Sequence, residues 1–245
     1  MDPIRNQSYA RSEAATHDEG LRQYMLGVYN YMSAALALTG IVAYFVSHVP
    51  ALMSLFYAVN QEGHLAPTML AWIAIFAPLI MVFYLSARIG HMSVQKAQTM
   101  FFIYSGLMGL SMTHIFLIYT GASIFSVFLV TAASFAGLSL YGYTTKKDLS
   151  GMGSFMMMGL IGIIIASIVN FFMQSPVMHL VINVLGVIIF AGLTAYDTQA
   201  IRRSYYQFAD SQEAAARMSI MGALKLYLDF INLFIFLLQF MGDRR

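Results

Sequence analysis

The sequence predicts an all-α integral membrane protein with seven transmembrane helices, and three observations predict it. The first is composition: of 245 residues, 59% are hydrophobic and only 10% charged, with mean hydropathy +0.70, whereas an ordinary soluble domain is about one quarter charged. The second is recurrence, because apolar runs of about 20 residues, the length that crosses a hydrocarbon core as a helix, follow one another along nearly the whole chain. The third is the placement of lysine and arginine in alternate linkers. Those linkers are too short for a separate soluble domain, so the chain divides into a polar cytoplasmic tail, 1–23, and one seven-helix membrane domain, 24–245.

Residues 1–23 are polar and mixed in charge, and no cleaved leader is expected: the small-residue match to a cleavage site, Ala35-Leu36-Ala37, falls inside the first apolar run. Thr16-His17-Asp18-Glu19 fits a capping box, which predicts either a short amphipathic turn before the first span or a solvated tail. Spans follow at 24–46, 67–87, 97–119, 122–144, 152–173, 178–200 and 218–240. Pro67 suits a first helical position, whereas Pro78 lies within the second span and predicts a kink or a freed carbonyl. The pairs Ala133/Gly137 and Gly162/Ala166 have the spacing that lets helices approach closely, although ordinary packing explains them better.

Loop charge sets orientation. Basic residues sit in the tail (Arg5, Arg11, Arg22) and in the linkers 88–96 (Arg88, Lys96), 145–151 (Lys146, Lys147) and 201–217 (Arg202, Arg203, Arg217). The alternate linkers 47–66, 120–121 and 174–177 carry none, which places the N-terminus in the cytoplasm. Arg244 and Arg245 disagree, and keep open a rival topology in which the last segment is re-entrant; a spanning segment is the favoured reading. Cysteine is absent, which excludes disulfides and thiolate metal sites, and a net charge of +2 confined to short loops speaks against nucleic acid as a partner.

Acidic residues within spans are costly, by about 2.5 to 3.5 kcal/mol at the helix centre on insertion scales, so each needs a reason. Here there are two: Asp197 in TAYDTQ of the sixth span and Asp229 in KLYLDFIN of the seventh. Asp197 lies five residues before Arg202, and Asp229 four after Lys225. At about 1.5 Å per residue both carboxylates therefore sit roughly 6 to 8 Å inside the same interface, where they can meet. Lys225, Asp229, Asn232, Phe236 and Gln239 share one helical face, and Asn183, Phe190, Thr194 and Asp197 another, so both polar stripes should face the bundle interior.

Two carboxylates in a low-dielectric interior cannot both ionise cheaply, so such a pair titrates as a unit and is a candidate pH sensor and ion gate. A cation competes with the proton for the same oxygens. Two aspartates offer at most four of the six to eight oxygens that calcium takes, so Asp197 and Asp229 make a weak calcium site, better suited to permeation than to storage. The plainer alternative is separate ion pairs, Asp229 with Lys225 and Asp197 with Arg202 or Arg203. Arg88, at the end of the second span, is either a snorkelling anchor or a gate partner.

Other chemistry is thin. The six histidines, His17, His48, His64, His91, His114 and His179, lack metal-ligand spacing. Gly137-Leu138-Ser139-Leu140-Tyr141 lacks the last glycine of a nucleophile elbow, and Gly151-Met152-Gly153 lacks the third glycine of a dinucleotide fingerprint. No enzyme and no tightly bound cofactor are expected. Paired membrane aspartates also occur in intramembrane aspartyl proteases, but those carry Gly-x-Gly-Asp where this chain has Leu226-Tyr227-Leu228-Asp229.

The strings GYTTKKDLSGMGSF (142–155), FAGLTAYDTQAIR (190–202) and GALKLYLDFINLFIFLLQ (222–239) together resemble the Bax inhibitor family, the transmembrane Bax inhibitor motif proteins, in its bacterial branch. The resemblance runs from the first span to the end of the chain. It implies a seven-helix fold with the last helix central, wrapped by the other six in two three-helix layers, in a bacterial inner membrane. It also implies a pH-dependent calcium leak sensed by an aspartate pair, which by motif is Asp197 and Asp229, with a gating arginine that by position is Arg88. Thr194, Lys225 and Asn232 would support the pair. The partners to expect are the bilayer, calcium and protons. An alternative that the resemblance also permits is a non-transporting regulator that binds membrane proteins such as a quality-control protease, with Asp18, Glu19 and Arg22 of the tail as the contact. The long 201–217 linker is a departure from the family pattern.

Overall fold

The computed structural model describes residues 3–59, 65–208 and 211–245, and side chains of the first helix from Glu19 onward; Arg5, Arg11, Thr16, His17 and Asp18 of the tail lie outside the described side chains, and His64 outside the described residues. The elements run α1 (Pro3–His48), α2 (Pro50–Phe56), β1 (Tyr57–Val59), β2 (Leu65–Pro67), α3 (Met69–Arg88), a 3-10 turn (Ile89–His91), α4 (Val94–Met112), α5 (Ile115–Ile118), α6 (Gly121–Thr144), α7 (Ser150–Met173), α8 (Pro176–Phe208) and α9 (Gln212–Met241). Seven spans among the described residues are long and apolar enough to cross a bilayer: α1 from Glu19, α3, α4 continued by α5, and α6 to α9.

Local chemistry starts the helices where it should. Thr68, Ser93, Thr120 and Ser211 each accept a hydrogen bond from the backbone N–H three residues on, capping α3, α4, α6 and α9. Ser175 does the same for Met178 at the start of α8, with Pro176 at the first helical position. Pro78 is buried within α3, which continues through it to Arg88.

Four expectations are corrected. The Thr16–Glu19 capping box does not begin a helix, because α1 runs unbroken from Pro3. The third span is interrupted at Thr113 and His114, where the His114 ring bonds to Ser111 O at 2.8 Å. The linker 47–66 holds α2 and an antiparallel hairpin in which Ala58 pairs with Ala66. The 201–217 linker is mostly helix, with α8 extending to Phe208 and α9 beginning at Gln212; the arginines mark the membrane boundary, and a helix need not stop there.

α9 is the most buried span and α7 the least, 61% against 6% of their apolar windows. α9 packs against α1, α4, α6 and α8, while α3 packs chiefly on α4 and α7 chiefly on α8. Four helices rather than six thus pack most closely on the last. Gly137 and Gly162 face open space, in keeping with the ordinary packing favoured for them; close approach is built instead at Gly142 of α6, where a Cβ would collide with the Ala195 carbonyl of α8, and at Gly109, where one would lie 2.7 Å from Thr39 O. The C-terminal residues meet the α5–α6 connection, with Thr120 N–H donating to Asp243 O (3.1 Å), Arg245 N–H to Ile118 O (2.9 Å) and Asp243 N–H to Ser123 Oγ (2.9 Å). α9 therefore traverses the bundle from end to end. The re-entrant alternative is set aside, and Arg244 and Arg245 stand on the face opposite the other basic residues.

Candidate functional site

Asp197 of α8 and Asp229 of α9 are brought together in the lining of one groove, beside Lys225. Asp229 is 4% exposed and its Oδ2 finds no donor among the described residues. Asp197 is partly open, at 16% side-chain exposure, and its Oδ1 lies 4.0 Å from Lys225 Nζ. One ammonium therefore serves two carboxylates.

Of the basic residues that could have split the pair, Arg202 and Arg203 are engaged elsewhere. Lys225 faces Asp197 across the helices rather than Asp229 one turn along its own. Arg202 donates to Tyr143 O and lies over the Tyr143 ring, 5.6 Å from its centroid. Arg203 donates to Asp148 Oδ1 at 2.7 Å. Hydrogen bonds from the Ser150 hydroxyl and the Arg203 guanidinium hold the exposed Asp148 carboxyl down at about 2. Separate interfacial ion pairs are thus not the arrangement found.

The supporting residues divide. Asn232 lines the groove beside the pair; its amide N–H donates to Leu228 O at 2.8 Å, leaving the amide oxygen free. Thr194 is fully buried and donates to Phe190 O in its own helix, so it stiffens α8 instead of presenting a group to the carboxylates. Arg88 is exposed at the end of α3 and forms no ion pair among the described residues.

A hydroxyl chain beside Asp197 escaped the sequence reading. Thr198 gives its proton to Thr194 O (2.8 Å), so Ser139 donates to Thr198 (3.0 Å) and Tyr29 donates to Ser139 (2.6 Å), tying α1 and α6 to α8 one residue from the carboxylate. Gln199 completes the support, accepting from Leu149 N–H (2.9 Å) and donating to Lys147 O (2.8 Å). Thr194 and Thr198 were visible in TAYDTQ as a polar i, i+4 pair, but nothing in the sequence pointed to Ser139 or Tyr29.

The aspartates close one end of a groove of about 680 Å³ between α7, α8 and α9, with Leu160 and Ile164 on one wall and Phe236 on the other. Among the described residues no group of three or more acidic or histidine side chains gathers to hold a metal ion. The arrangement gathers two carboxyl groups, one amide and one ammonium on the wall of a single groove.

Comparison with known proteins finds relatives along nearly the whole chain. A Rickettsia prowazekii protein is 46% identical over 234 residues, covering 96% of this chain and 95% of its own length. A Caulobacter vibrioides protein is 46% identical over 246 residues, covering 98% of each. The inner membrane protein YbhL of Escherichia coli K12 is 44% identical over 228 residues, 92% of this chain and 94% of that one. The family described as Inhibitor of apoptosis-promoting Bax1 matches residues 21–245, and on that match the chain belongs to the Bax inhibitor family of integral membrane proteins.

Proposed function

We propose that the protein is a pH-sensitive cation leak channel of the inner membrane, with calcium as the expected permeant ion and Asp197 and Asp229 as gate and sensor. The observation that carries this reading is that the two carboxyl groups, one on α8 and one on α9, line the same groove beside Lys225. A proton shared by the pair holds the helices together. Its loss leaves two buried charges against one ammonium, and repulsion then separates α8 from α9. Asp197 becomes free to engage Arg88, which is uncommitted at the end of α3. The basic face, including Arg88, Lys146, Lys147 and Arg203, is read as cytoplasmic by the positive-inside rule. The inner-membrane assignment follows YbhL, the relative named for that membrane.

Calcium bound here is held loosely. The carboxylates and the Asn232 oxygen fall short of the six to eight ligands it takes, and Lys225 opposes it. Loose binding suits passage, and the reading is one of transport, without catalysis and without a resident cofactor. Calcium flux into dye-loaded liposomes tests it: Asp197→Asn and Asp229→Asn should each flatten the pH response, and unchanged flux and pH profile in both would overturn it. Deleting residues 1–20 separates this reading from that of a regulator docking through its N-terminal segment, since a channel keeps its leak without them.

A further inference from the structure

The groove between α7 and α9 is much larger than a calcium ion requires, and most of its lining would have nothing to do with one. It arises because α7 packs chiefly on α8 and leaves its side toward α9 open. Ile164 and Ile168 on its rim are 51% and 58% exposed on the outer surface of the bundle, so the groove is reached from the hydrocarbon phase. Its volume, about 680 Å³, lies within the roughly 300 to 1,000 Å³ of sites that take small organic molecules. One end holds Asp197 and Asp229 with Lys225 and Asn232, and the rest is apolar but for Ser167 and the Tyr196 ring.

The acidic end is short of one donor and one positive charge. Asp229 is 96% buried, counting from its 4% exposure, and its Oδ2 has no partner. Lys225 approaches Asp197 at 4.0 Å, beyond hydrogen-bonding distance, and offsets one carboxylate at most. A proton satisfies the oxygens but ignores the apolar walls, and so does a metal ion. A neutral acyl chain fills the walls but leaves the carboxylates as they were.

We propose that this groove binds an amphiphilic organic ammonium, its N–H donors on Asp229 and Asp197 and its hydrocarbon along Leu160, Ile164 and Phe236. The inference rests on reading the pair as a cation site and names a second class of cation for it. Such a molecule partitions into the bilayer, enters between α7 and α9, and replaces the shared proton with charge-assisted hydrogen bonds from its own head group. Bound there, its head group bridges Asp197 of α8 and Asp229 of α9, the two helices whose separation opens the proposed gate.

The test uses the full chain in phosphatidylcholine nanodiscs, without an ion gradient, and radiolabelled dodecylammonium measured by equilibrium dialysis against empty nanodiscs. Saturable binding of one molecule per chain is expected. Dodecanol, which lacks the charge, and dodecyltrimethylammonium, which lacks N–H donors, should each bind at least tenfold more weakly. Asp229→Asn should abolish the saturable component. Ile164→Trp, which fills the groove from α7 without touching either aspartate, should abolish it too, in protein shown by size-exclusion chromatography to be folded. Equal saturable binding of dodecanol would overturn the proposal in favour of a groove that takes any acyl chain. Absence of saturable binding, or its survival in Ile164→Trp, would overturn it as well. Because no flux is measured, aspartate-dependent calcium leak together with no ammonium binding would sink this inference alone.

Discussion

Tyr227 and Asp229 are two residues apart on α9 and point to opposite sides of it, and their surroundings differ in kind. Tyr227 is fully buried against α1 and α4, with its hydroxyl 2.7 Å from Thr39 Oγ1 and its ring edge-on to Tyr104 and Phe101. Thr39 in turn reaches Ala35 O and Ser105 O, both at 2.9 Å. That side of the helix is closed, and Tyr227 finds its polar partner in Thr39, although the adjacent Tyr104 hydroxyl has none among the described residues. Asp229 is as deeply placed, yet faces a groove and lacks a donor for Oδ2. Burial alone does not separate the two sides, and neither does a missing partner; what sets Asp229 apart is that it opens on a groove.

If the comparison is sound, the two residues should respond to substitution in different currencies. The largest effect is expected from Tyr227→Ala, which removes a packed ring and should lower stability by about 3 to 5 kcal/mol, read by thermal unfolding in detergent. Tyr227→Phe keeps the ring and loses the bond to Thr39, for about 1 kcal/mol. Asp229→Asn should change stability by less than about 1 kcal/mol, because an amide keeps the volume and brings its own donor, while altering the pH response of flux. A loss as large as that of Tyr227→Ala would make Asp229 a packing residue and erase the distinction.

The smallest effect is expected at Asp148. Its carboxyl is held at about 2, below the ordinary 3.8, so its pairing with Ser150 and Arg203 contributes fully above about pH 4 and fades as pH falls toward 2. Asp148→Asn should therefore lower thermal stability slightly at neutral pH, by an amount that shrinks as pH falls from about 4 through 2. A pH-independent difference would show that the loop is held by Gln199 instead.

The seven spans were legible because apolar length is a one-dimensional signal, and the aspartate pair was legible because Arg202 and Lys225 give depth markers on two helices. What escaped depends on the third dimension. The bond between Thr39 and Tyr227 joins residues 188 apart, and neither has a periodic neighbour to announce it. Ser139 meets Thr198 across 59 residues for the same reason. The 201–217 segment was misread because arginine marks where the membrane ends, while helical hydrogen bonding continues in water. The tight glycines, Gly109 and Gly142, were not legible because spacing says which residues can lie on one face, not which face meets a neighbour.

The bonds between the C-terminal residues and the α5–α6 connection make one end of α9 a pivot. Thirteen residues separate Asp229 from Gly242, an arm of about 20 Å at helical rise. A tilt of about 10° around that pivot carries Asp229 by about 3 Å, roughly the span of one hydrogen bond. The pair could thus be parted by a rigid swing of α9 too small to break any bond within the helix. Cutting the tie at Asp243 and Ser123 would turn that swing into a slide.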